Sequence, residues 1–481
     1  MYKNSKRKTG VCWIMITAKK KKGFSEGNVF LKILLFVLPI MLTNLLQTFY
    51  NSADMMIVSL SPEPNAVGAV GISGSLSSIV LGVCLGFAVG ANVVVARNVG
   101  AKNYERVDKA IHTSIVVGFL FGIIGGVVGI IIARPVLIMM GAQASLLDEA
   151  VKYTRWYFAG VPFLSLTNFL CAIFRAKGDS KTPLIVLSLA GLFNVGLNLI
   201  FVLVFKMSSN GVAIATSLAS LGSSIVLLLK LSKSTDGSSF SFKKLKMDQR
   251  AFKDVVKIGF PAALQSGFIN FSNVLIQSSI VTVNNLLCPP NSDYQPVVSG
   301  TSSASNLSNF VYTAQNAVYQ GAITFTSQNI GAKKPKRVSK VMWYCYLLVT
   351  IIGLTFGGLI FLNREFLLSL YGITLGVEGS LEEIAFQSAT TQLAYVALPY
   401  FLCGLMEVGS GVLRGLGKST LSMIVFVMGT CLLRIVWLET VFPLYLNLAS
   451  VYVCYSLTWI FTSIVLFVLA VMQIKKASRA L

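Results

Sequence analysis

PIMLTNLLQTFYNSADMMIV, residues 39–58, is apolar enough to lie in a lipid bilayer, yet it carries four regularly spaced polar side chains. These are Asn44, Gln47, Asn51 and Asp54, spaced 3, 4 and 3 residues apart, which places them on one face of a helix. A carboxylate inside a membrane helix costs about 2.5–3.5 kcal/mol and usually faces a protein interior or a watery cavity. The amides could equally be hydrogen-bonding contacts between helices. Amides cannot cancel the charge of Asp54, so this residue indicates function.

The composition is that of a membrane protein. Of the 481 residues, 54% are hydrophobic and 12% are charged, whereas an ordinary soluble protein has about 25% charged residues. Mean hydropathy is +0.73. We therefore expect an all-α membrane protein whose helices are surrounded by lipid.

Several classes of function lack the residues that they need. The eight cysteines are scattered singly, so neither a disulfide framework nor a zinc site is indicated. The one histidine, His112, begins an apolar run beside basic residues, which suits a membrane interface better than a catalytic triad. The sequence contains no G-x-x-x-x-G-K-S/T phosphate loop. We expect no enzyme activity and no cofactor.

Twelve apolar runs are long enough to cross a bilayer, which takes about 20 helical residues. Their approximate limits are 30–60, 66–96, 111–133, 153–174, 183–205, 210–230, 257–282, 297–329, 340–362, 387–412, 420–441 and 448–474. A basic segment, residues 1–29, precedes them, and its apolar patch is too short to span and lacks a signal-peptide cleavage site. Translation could begin at Met1 or Met15.

The loops between these runs alternate in charge. Of the 40 Lys and Arg residues, 34 fall on the side of the two termini, five fall on the other side, and Arg434 lies inside the eleventh run. By the positive-inside rule both termini of this multi-pass protein are cytoplasmic. The net charge of +22 is therefore a topology signal, and we expect no nucleic-acid partner.

The chain repeats itself. VARNVGAKNYERVDK (95–109) aligns without gaps on TSQNIGAKKPKRVSK (326–340) with seven of fifteen positions identical, and FRAKGDS (174–180) resembles LRGLGKS (413–419). Six spans return the chain to the same side, so the repeats are parallel, as in two-bundle transporters. We predict two six-helix bundles, residues 30–230 and 257–474, with a cytoplasmic linker at 231–256 and a cytoplasmic tail at 475–481.

Polar groups of the first half converge at one depth. At about 1.5 Å per residue, Asp54, Asn198 and Thr216 should all lie roughly 10 Å below the outer surface, with Asn194 one helical turn deeper. Their oxygens suit a proton site or a small Na⁺ site. The alternative is that Asn194 and Asn198 only pack helices together.

The second half has no acid in its first span, and its polar residues predict a cavity for amphipathic organic substrates. Glu407 lies deeper than Asp54 and could be a second substrate or coupling site, or could pair with a nearby base. Arg434 is expected to snorkel outward or to pair with Glu439. The predicted cavity residues of both halves are Gln47, Asn51, Asn270, Asn273, Tyr312, Gln315, Asn316, Tyr319 and Glu407.

LPIMLTNLLQTFYNSADMMIVS, QNIGAKKPKRV, FRAKGDSKTPLIVLSLAGLFNVGLNLIFV, GVAIATSLAS and EVGSGVLRGLGKST resemble the multidrug and toxic compound extrusion (MATE) family, and the bacterial DinF-like branch most closely. The resemblance implies a V-shaped pair of six-helix bundles and a cation-driven antiporter of the bacterial inner membrane that exports organic, often cationic, compounds. It assigns the first-span acid to Asp54, the fifth-span polar pair to Asn194 and Asn198, and the sixth-span hydroxyl to Thr216. Relatives often have Asp where Asn198 stands, and some have a seventh-span acid that is absent here.

These observations predict an antiporter that couples H⁺ or Na⁺ entry to the export of small organic molecules by alternating access, as a monomer in membrane lipid. The alternative is a flippase or exporter of lipid-linked oligosaccharide or another amphipathic metabolite. That alternative is disfavoured because the basic residues lie nearly all in loops. A major-facilitator carrier is disfavoured because NVGAKNYERVDK does not fit its G-x-L-x-D-R-x-G-R loop.

Overall fold

The structure is a computed structural model that describes residues 23–61, 63, 66–140, 144–234, 239–288 and 294–480. Most of the predicted basic N-terminal segment, including Met1, Met15 and Cys12, lies outside the described residues.

Twelve long helices form the described part of the chain. They are α1 Val29–Val58, α2 Ala66–Gly100, α3 Tyr104–Met139, α4 Ala144–Ala176, α5 Lys181–Val204, α6 Ser209–Ser232, α7 Gln249–Leu287, α8 Pro296–Gly331, α9 Pro335–Leu362, α10 Leu381–Gly415, α11 Ser419–Thr440 and α12 Leu448–Ala480. The all-α membrane fold predicted from the sequence is confirmed. Ten of these helices are long and apolar enough to cross a membrane. The other two, α7 and α8, have 39 and 36 residues but carry many amide and hydroxyl side chains.

Three of the long helices contain a widened π-helical turn, and the remaining helical segments are short. The π turns lie at Ile200–Val204 in α5, Leu393–Ala397 in α10 and Val427–Leu432 in α11. Short helices occur at Phe242–Lys244, Arg364–Ser369 and Phe442–Tyr445.

Two helices extend into segments that the sequence analysis placed outside the two bundles. The Asp248 carboxylate accepts a 2.9 Å hydrogen bond from the Ala251 N–H and so starts α7 at Gln249. The predicted linker 231–256 therefore includes the first turns of α7. The predicted tail 475–481 is helical as far as Ala480, because α12 continues through it.

The two copies of the repeated motif face each other at the crossing of α2 and α8. An added Cβ on Gly100 would lie 2.0 Å from the Gln328 carbonyl oxygen, and one on Gly331 would lie 1.9 Å from the Arg97 carbonyl oxygen. Arg97 and Gln328 occupy equivalent positions in the repeat. The crossing is therefore symmetric, and the backbones approach too closely for any residue but glycine.

The side chains at this crossing also form equivalent hydrogen bonds in the two halves. Arg97 Nη2 donates to the Gly415 carbonyl at 3.4 Å, and Gln328 Nε2 donates to the Ala176 carbonyl at 2.7 Å. Gly415 and Ala176 are themselves equivalent positions of the shorter repeat, 174–180 and 413–419. The internal sequence repeat is thus a structural repeat. The end of the molecule that contains it, with most of the basic loops, is called the basic end below.

The two halves pack tightly near the basic end and separate away from it. Buried α1 residues such as Ile33 and Phe36 belong to the same hydrophobic cluster as α8 and α9. Between α2 and α7, a Cβ on Gly86 would lie 2.3 Å from the Ala263 nitrogen. Towards the other end of these helices, a Cβ added to Gly74 or Gly267 would have no described atom within 4 Å. The result is a V-shaped arrangement that leaves two cavities.

Candidate functional site

The first cavity, called the N cavity, has a volume of about 540 Å³ and lies between α1, α2, α4, α5 and α6. Gln47, Asn51 and Asp54 line it from α1, so the polar face quoted at the start of the sequence analysis points into it. Asp54 is the one charged residue among the described residues of its lining. Asn44 differs from the other three, because its Nδ2 donates to the Thr313 carbonyl of α8 at 3.3 Å.

Asp54 is held by the amides of α5. Asn198 Nδ2 donates to Asp54 Oδ1 at 2.5 Å, and the Asn198 side chain is fully buried. Asn194 lies one helical turn away on the same face of α5 and is 6% exposed. Depth along the helices had predicted that these side chains meet, and the structure brings them into contact.

The orientation of the Asn194 carboxamide determines how Thr216 joins this group. With its nitrogen towards Thr216 Oγ1, at 3.3 Å, the amide oxygen receives only a 3.4 Å bond from Asn198. Turned over, the nitrogen donates to Asp54 Oδ1 at 2.9 Å and the oxygen accepts from the Thr216 N–H at 3.1 Å. The second orientation is better satisfied, since both atoms then face groups of the opposite kind. Asp54 is thus held by two amide nitrogens.

The chemistry of this group fits a small hard cation or a proton. Asn198 Oδ1 is buried and has no hydrogen-bond partner among the described residues, which leaves an acceptor oxygen beside the Asp54 carboxylate. Oxygen donors of this kind suit Na⁺. Among the described residues no three His, Cys, Asp or Glu side chains form a metal-binding cluster.

The second cavity, called the C cavity, has a volume of about 830 Å³ and is lined mainly by α7, α8, α10, α11 and α12, with α2 and the end of α4 on its other side. The predicted residues that line it are Asn270, Asn273, Tyr312, Asn316, Tyr319 and Glu407. Gln320 Nε2 donates to Asn316 Oδ1 at 2.6 Å within this lining. Ser78, Leu81 and Leu85 of α2 line both cavities and so form the wall between them.

Gln315 does not line the C cavity, so that prediction is wrong. Its side chain is 2% exposed and points to the opposite side of α8, where Nε2 donates to the Val349 carbonyl at 3.4 Å. Gly353 of α9 and Gly404 of α10 leave the space that it fills. Gln315 is a packing residue between these helices.

Three arginines belong to the described lining of the C cavity, and the expectation that basic residues lie nearly all in loops is wrong for two of them. Arg175 and Arg414 were assigned to loops, but both belong to the last turns of helices. The Arg414 guanidinium donates to the Tyr319 hydroxyl and, at 2.6 Å, to Gln265 Oε1. Their position at the ends of apolar runs concealed this role in the sequence.

Arg434 neither snorkels nor pairs with Glu439. The guanidinium carbon lies 4.1 Å from the centre of the Tyr455 ring, and the side chain is 5% exposed. Glu439 is exposed, and no ion pair joins it to Arg434 within the described residues. The signal for this residue was present in the sequence, because an arginine inside an apolar run usually faces a bundle interior or a cavity.

Glu407 is half-buried on α10, two turns before Arg414 on the same face. It has no ion pair within 4 Å among the described residues. It lines the C cavity together with Tyr312 and Tyr319. Glu407 therefore shares its cavity with arginines, whereas Asp54 does not.

His112 lies at the basic end, away from both cavities. Its Nδ1 lies 2.8 Å from the Asp108 carbonyl oxygen, and its Nε2 accepts a 3.1 Å hydrogen bond from the Ser241 N–H. It therefore connects the segment between α6 and α7 to α3.

Comparison with known proteins gives consistent matches. The family model described as MatE matches residues 39–200 and 271–438. The chain is 26% identical over 364 residues to the probable multidrug resistance protein YoeA of Bacillus subtilis (strain 168), covering 74% of this chain and 76% of the relative. It is 25% identical over 266 residues to the multidrug export protein MepA of Staphylococcus aureus (strain MRSA252), covering 54% and 58%.

A solved structure described as the outward-facing conformation of a multidrug resistance MATE family transporter of the MOP superfamily has the same fold. Its TM-score is 0.84 at 20% sequence identity, over 94% of this chain and 97% of that chain.

Proposed function

This chain belongs to the MatE family of multidrug and toxic compound extrusion transporters, and we propose that it is a DinF-like antiporter that exports organic cationic or amphipathic compounds in exchange for H⁺ or Na⁺. The relatives named for multidrug resistance and multidrug export support the export of drugs. The ion coupling is argued from the chain's own residues.

One observation carries the coupling proposal. Asp54 lies in a cavity with amide and hydroxyl oxygens and without a basic residue among the described lining. Burial disfavours an uncompensated charge, so Asp54 is stabilised either by a proton or by a bound cation. Asn198 Oδ1, which lacks a partner, offers a further ligand to Na⁺. Asp54, Asn194, Asn198 and Thr216 are the proposed coupling site.

Loading of this site is proposed to drive alternating access. Pro39 already interrupts the backbone hydrogen-bond ladder of α1 fifteen residues before Asp54. A change of charge at Asp54 would alter its bonds to α5, and α1 would bend about Pro39. The two six-helix halves, residues 30–230 and 257–474, would then rock against each other.

The basic end is proposed to face the cytoplasm, with both termini on that side of the bacterial inner membrane. The halves separate away from that end, so the arrangement described here corresponds to an outward-facing state. The C cavity would hold the organic substrate between its tyrosines and amides. The protein would act as a monomer in membrane lipid.

A flippase or exporter of an amphipathic, lipid-linked metabolite remains the second candidate. The sequence argument against it was that basic residues avoid the cavity. Arg175, Arg414 and Arg434 line the C cavity, so this argument no longer applies.

Transport by the purified full chain in proteoliposomes tests the proposal. The export of ethidium, a fluorescent organic cation, is followed under an H⁺ gradient alone and under a Na⁺ gradient alone. One of the two gradients is expected to accelerate export, and dissipating it should return the rate to that of protein-free vesicles. A rate that is indifferent to both gradients would contradict coupling.

A further inference from the structure

The C cavity is positively charged, in contrast to the N cavity. Three arginines and one glutamate are the charged residues of its described lining. Glu407 forms no ion pair within 4 Å among the described residues, and its single negative charge can balance one of the three arginines at most. The positive charge of the remaining arginines is therefore not matched by an acid of the cavity wall.

Arg434 is a buried arginine of this lining that makes no hydrogen bond or ion pair among the described residues. Its side chain is 5% exposed, and its Nε lacks a hydrogen-bond partner there. The Arg414 guanidinium, in comparison, donates to Tyr319 and Gln265. The main contact of Arg434 is with the face of the Tyr455 ring, 4.1 Å from the guanidinium carbon.

A stack on tyrosine does not replace an anion. A cation–π contact stabilises a charge by less than the cost of burying that charge without a hydrogen-bonded counter-charge. The planar guanidinium presents a fork of N–H donors that matches an oxyanion in bidentate geometry. The cavity thus holds a donor set in place before any anion is present.

Aromatic rings surround this donor set. The Tyr455 and Trp459 ring centres lie 5.5 Å apart, and those of Tyr400 and Trp459 lie 5.1 Å apart. All three side chains line the C cavity with Arg434. A flat apolar body could pack on these rings while its charged group meets the guanidinium.

We propose that Arg434 forms an oxyanion subsite in the C cavity, which takes an amphipathic aromatic anion with a carboxylate, sulfonate or phosphate group. This rests on the proposed exporter function and extends its substrates from organic cations to organic anions. It also separates the two charges by location, with the coupling cation in the N cavity and the anionic substrate group in the C cavity.

Equilibrium binding tests this with one matched set of probes. Tritiated 2-naphthoate is bound to the full chain in uncharged maltoside micelles and is displaced by unlabelled 2-naphthoate, 2-naphthamide or 2-naphthylmethylammonium. The three share one ring system and differ in charge. Naphthoate is expected to compete at about tenfold lower concentration than the amide, as for a hydrogen bond to a charged group. Equal competition by the amide, or tighter competition by the ammonium compound, overturns the proposal without any variant.

Variants locate the subsite. Arg434→Gln is expected to weaken naphthoate binding about tenfold and amide binding little, and Arg434→Lys to retain part of the preference for the anion. Arg364→Gln is the matched control, because Arg364 also lies over an aromatic ring, Phe361 at 4.9 Å, but lines neither cavity. A preference for the anion that survives in Arg434→Gln, or is lost in Arg364→Gln, overturns the assignment.

A final arm distinguishes a free organic anion from a lipid phosphate. Naphthoate binding is repeated in nanodiscs of phosphatidylcholine with and without phosphatidylglycerol. Binding that is unaffected by phosphatidylglycerol supports the free anion as occupant, whereas displacement of naphthoate by this lipid shows that a headgroup takes the subsite. No ion gradient is present, so failure here leaves coupled export to be judged by its own assay.

Discussion

The two halves of this protein share a framework and differ in the charges that they enclose. Lys102 and Lys333 occupy equivalent repeat positions and both have a φ of 55°. Yet the N cavity contains one carboxylate and no basic residue in its described lining, while the C cavity contains three arginines and one glutamate. The two halves therefore share a backbone framework but enclose different charged residues.

The difference begins in the first helix of each half. Counted fifteen residues from Pro39 and Pro261, Asp54 corresponds to Ile276, which is 2% exposed. Three residues earlier, Asn51 corresponds to Asn273, and both line their cavities. One half thus retains an acid at the position where the other has a hydrocarbon side chain. This favours cation coupling in the first half and substrate binding in the second.

The largest expected effect comes from breaking the shared framework. Gly100→Ala and Gly331→Ala each place a Cβ at about 2 Å from a backbone carbonyl oxygen of the opposite half. Since backbone cannot move aside locally, each should destabilise the protein by about 3 kcal/mol or more. Thermal unfolding of the purified protein in detergent, followed by light scattering, is the measurement.

Matched controls exist in both halves. A Cβ added to Gly222 of α6 or Gly358 of α9 would have no atom of the described residues within 4 Å, so alanine there should leave the unfolding temperature unchanged or slightly higher. If Gly100→Ala and Gly331→Ala differ greatly from each other, the crossing is not the symmetric joint described here.

A smaller effect is expected from a substitution that tests the difference in charge between the two cavities. Asn198→Asp adds a second carboxylate beside Asp54, and two adjacent carboxylates favour a bound cation. If Na⁺ is the coupling ion, the Na⁺ concentration needed for half-maximal export is expected to fall about tenfold. An unchanged Na⁺ dependence would indicate H⁺ coupling. Asn273→Asp adds the same charge to the C cavity and is the control, for which no change in Na⁺ dependence is expected. A lower Na⁺ requirement in Asn273→Asp alone would place the coupling cation in the second half and contradict the account.

The fold could be predicted from the sequence because the length of each hydrophobic run indicates a membrane span and the charge of each loop indicates its side of the membrane. The contact between Asp54 and Asn198 also followed from depth, since helical rise fixes the level of a residue in a straight span. The roles of Gln315 and Arg414 could not be predicted in this way. Which side of a helix faces a cavity depends on its neighbours, and a small difference in rotation places Gln315 between α9 and α10 instead.

The central claim is that coupling depends on Asp54 and not on Glu407, the acid of the C cavity. Gradient-driven export in proteoliposomes should be measured for the wild-type protein, Asp54→Asn and Glu407→Gln, at equal amounts of reconstituted protein. We predict that Asp54→Asn no longer responds to the driving gradient, because its amide cannot gain or lose a proton or balance a cation, whereas Glu407→Gln still responds. Export by Asp54→Asn at the wild-type rate, or loss of the response in Glu407→Gln alone, would contradict the account.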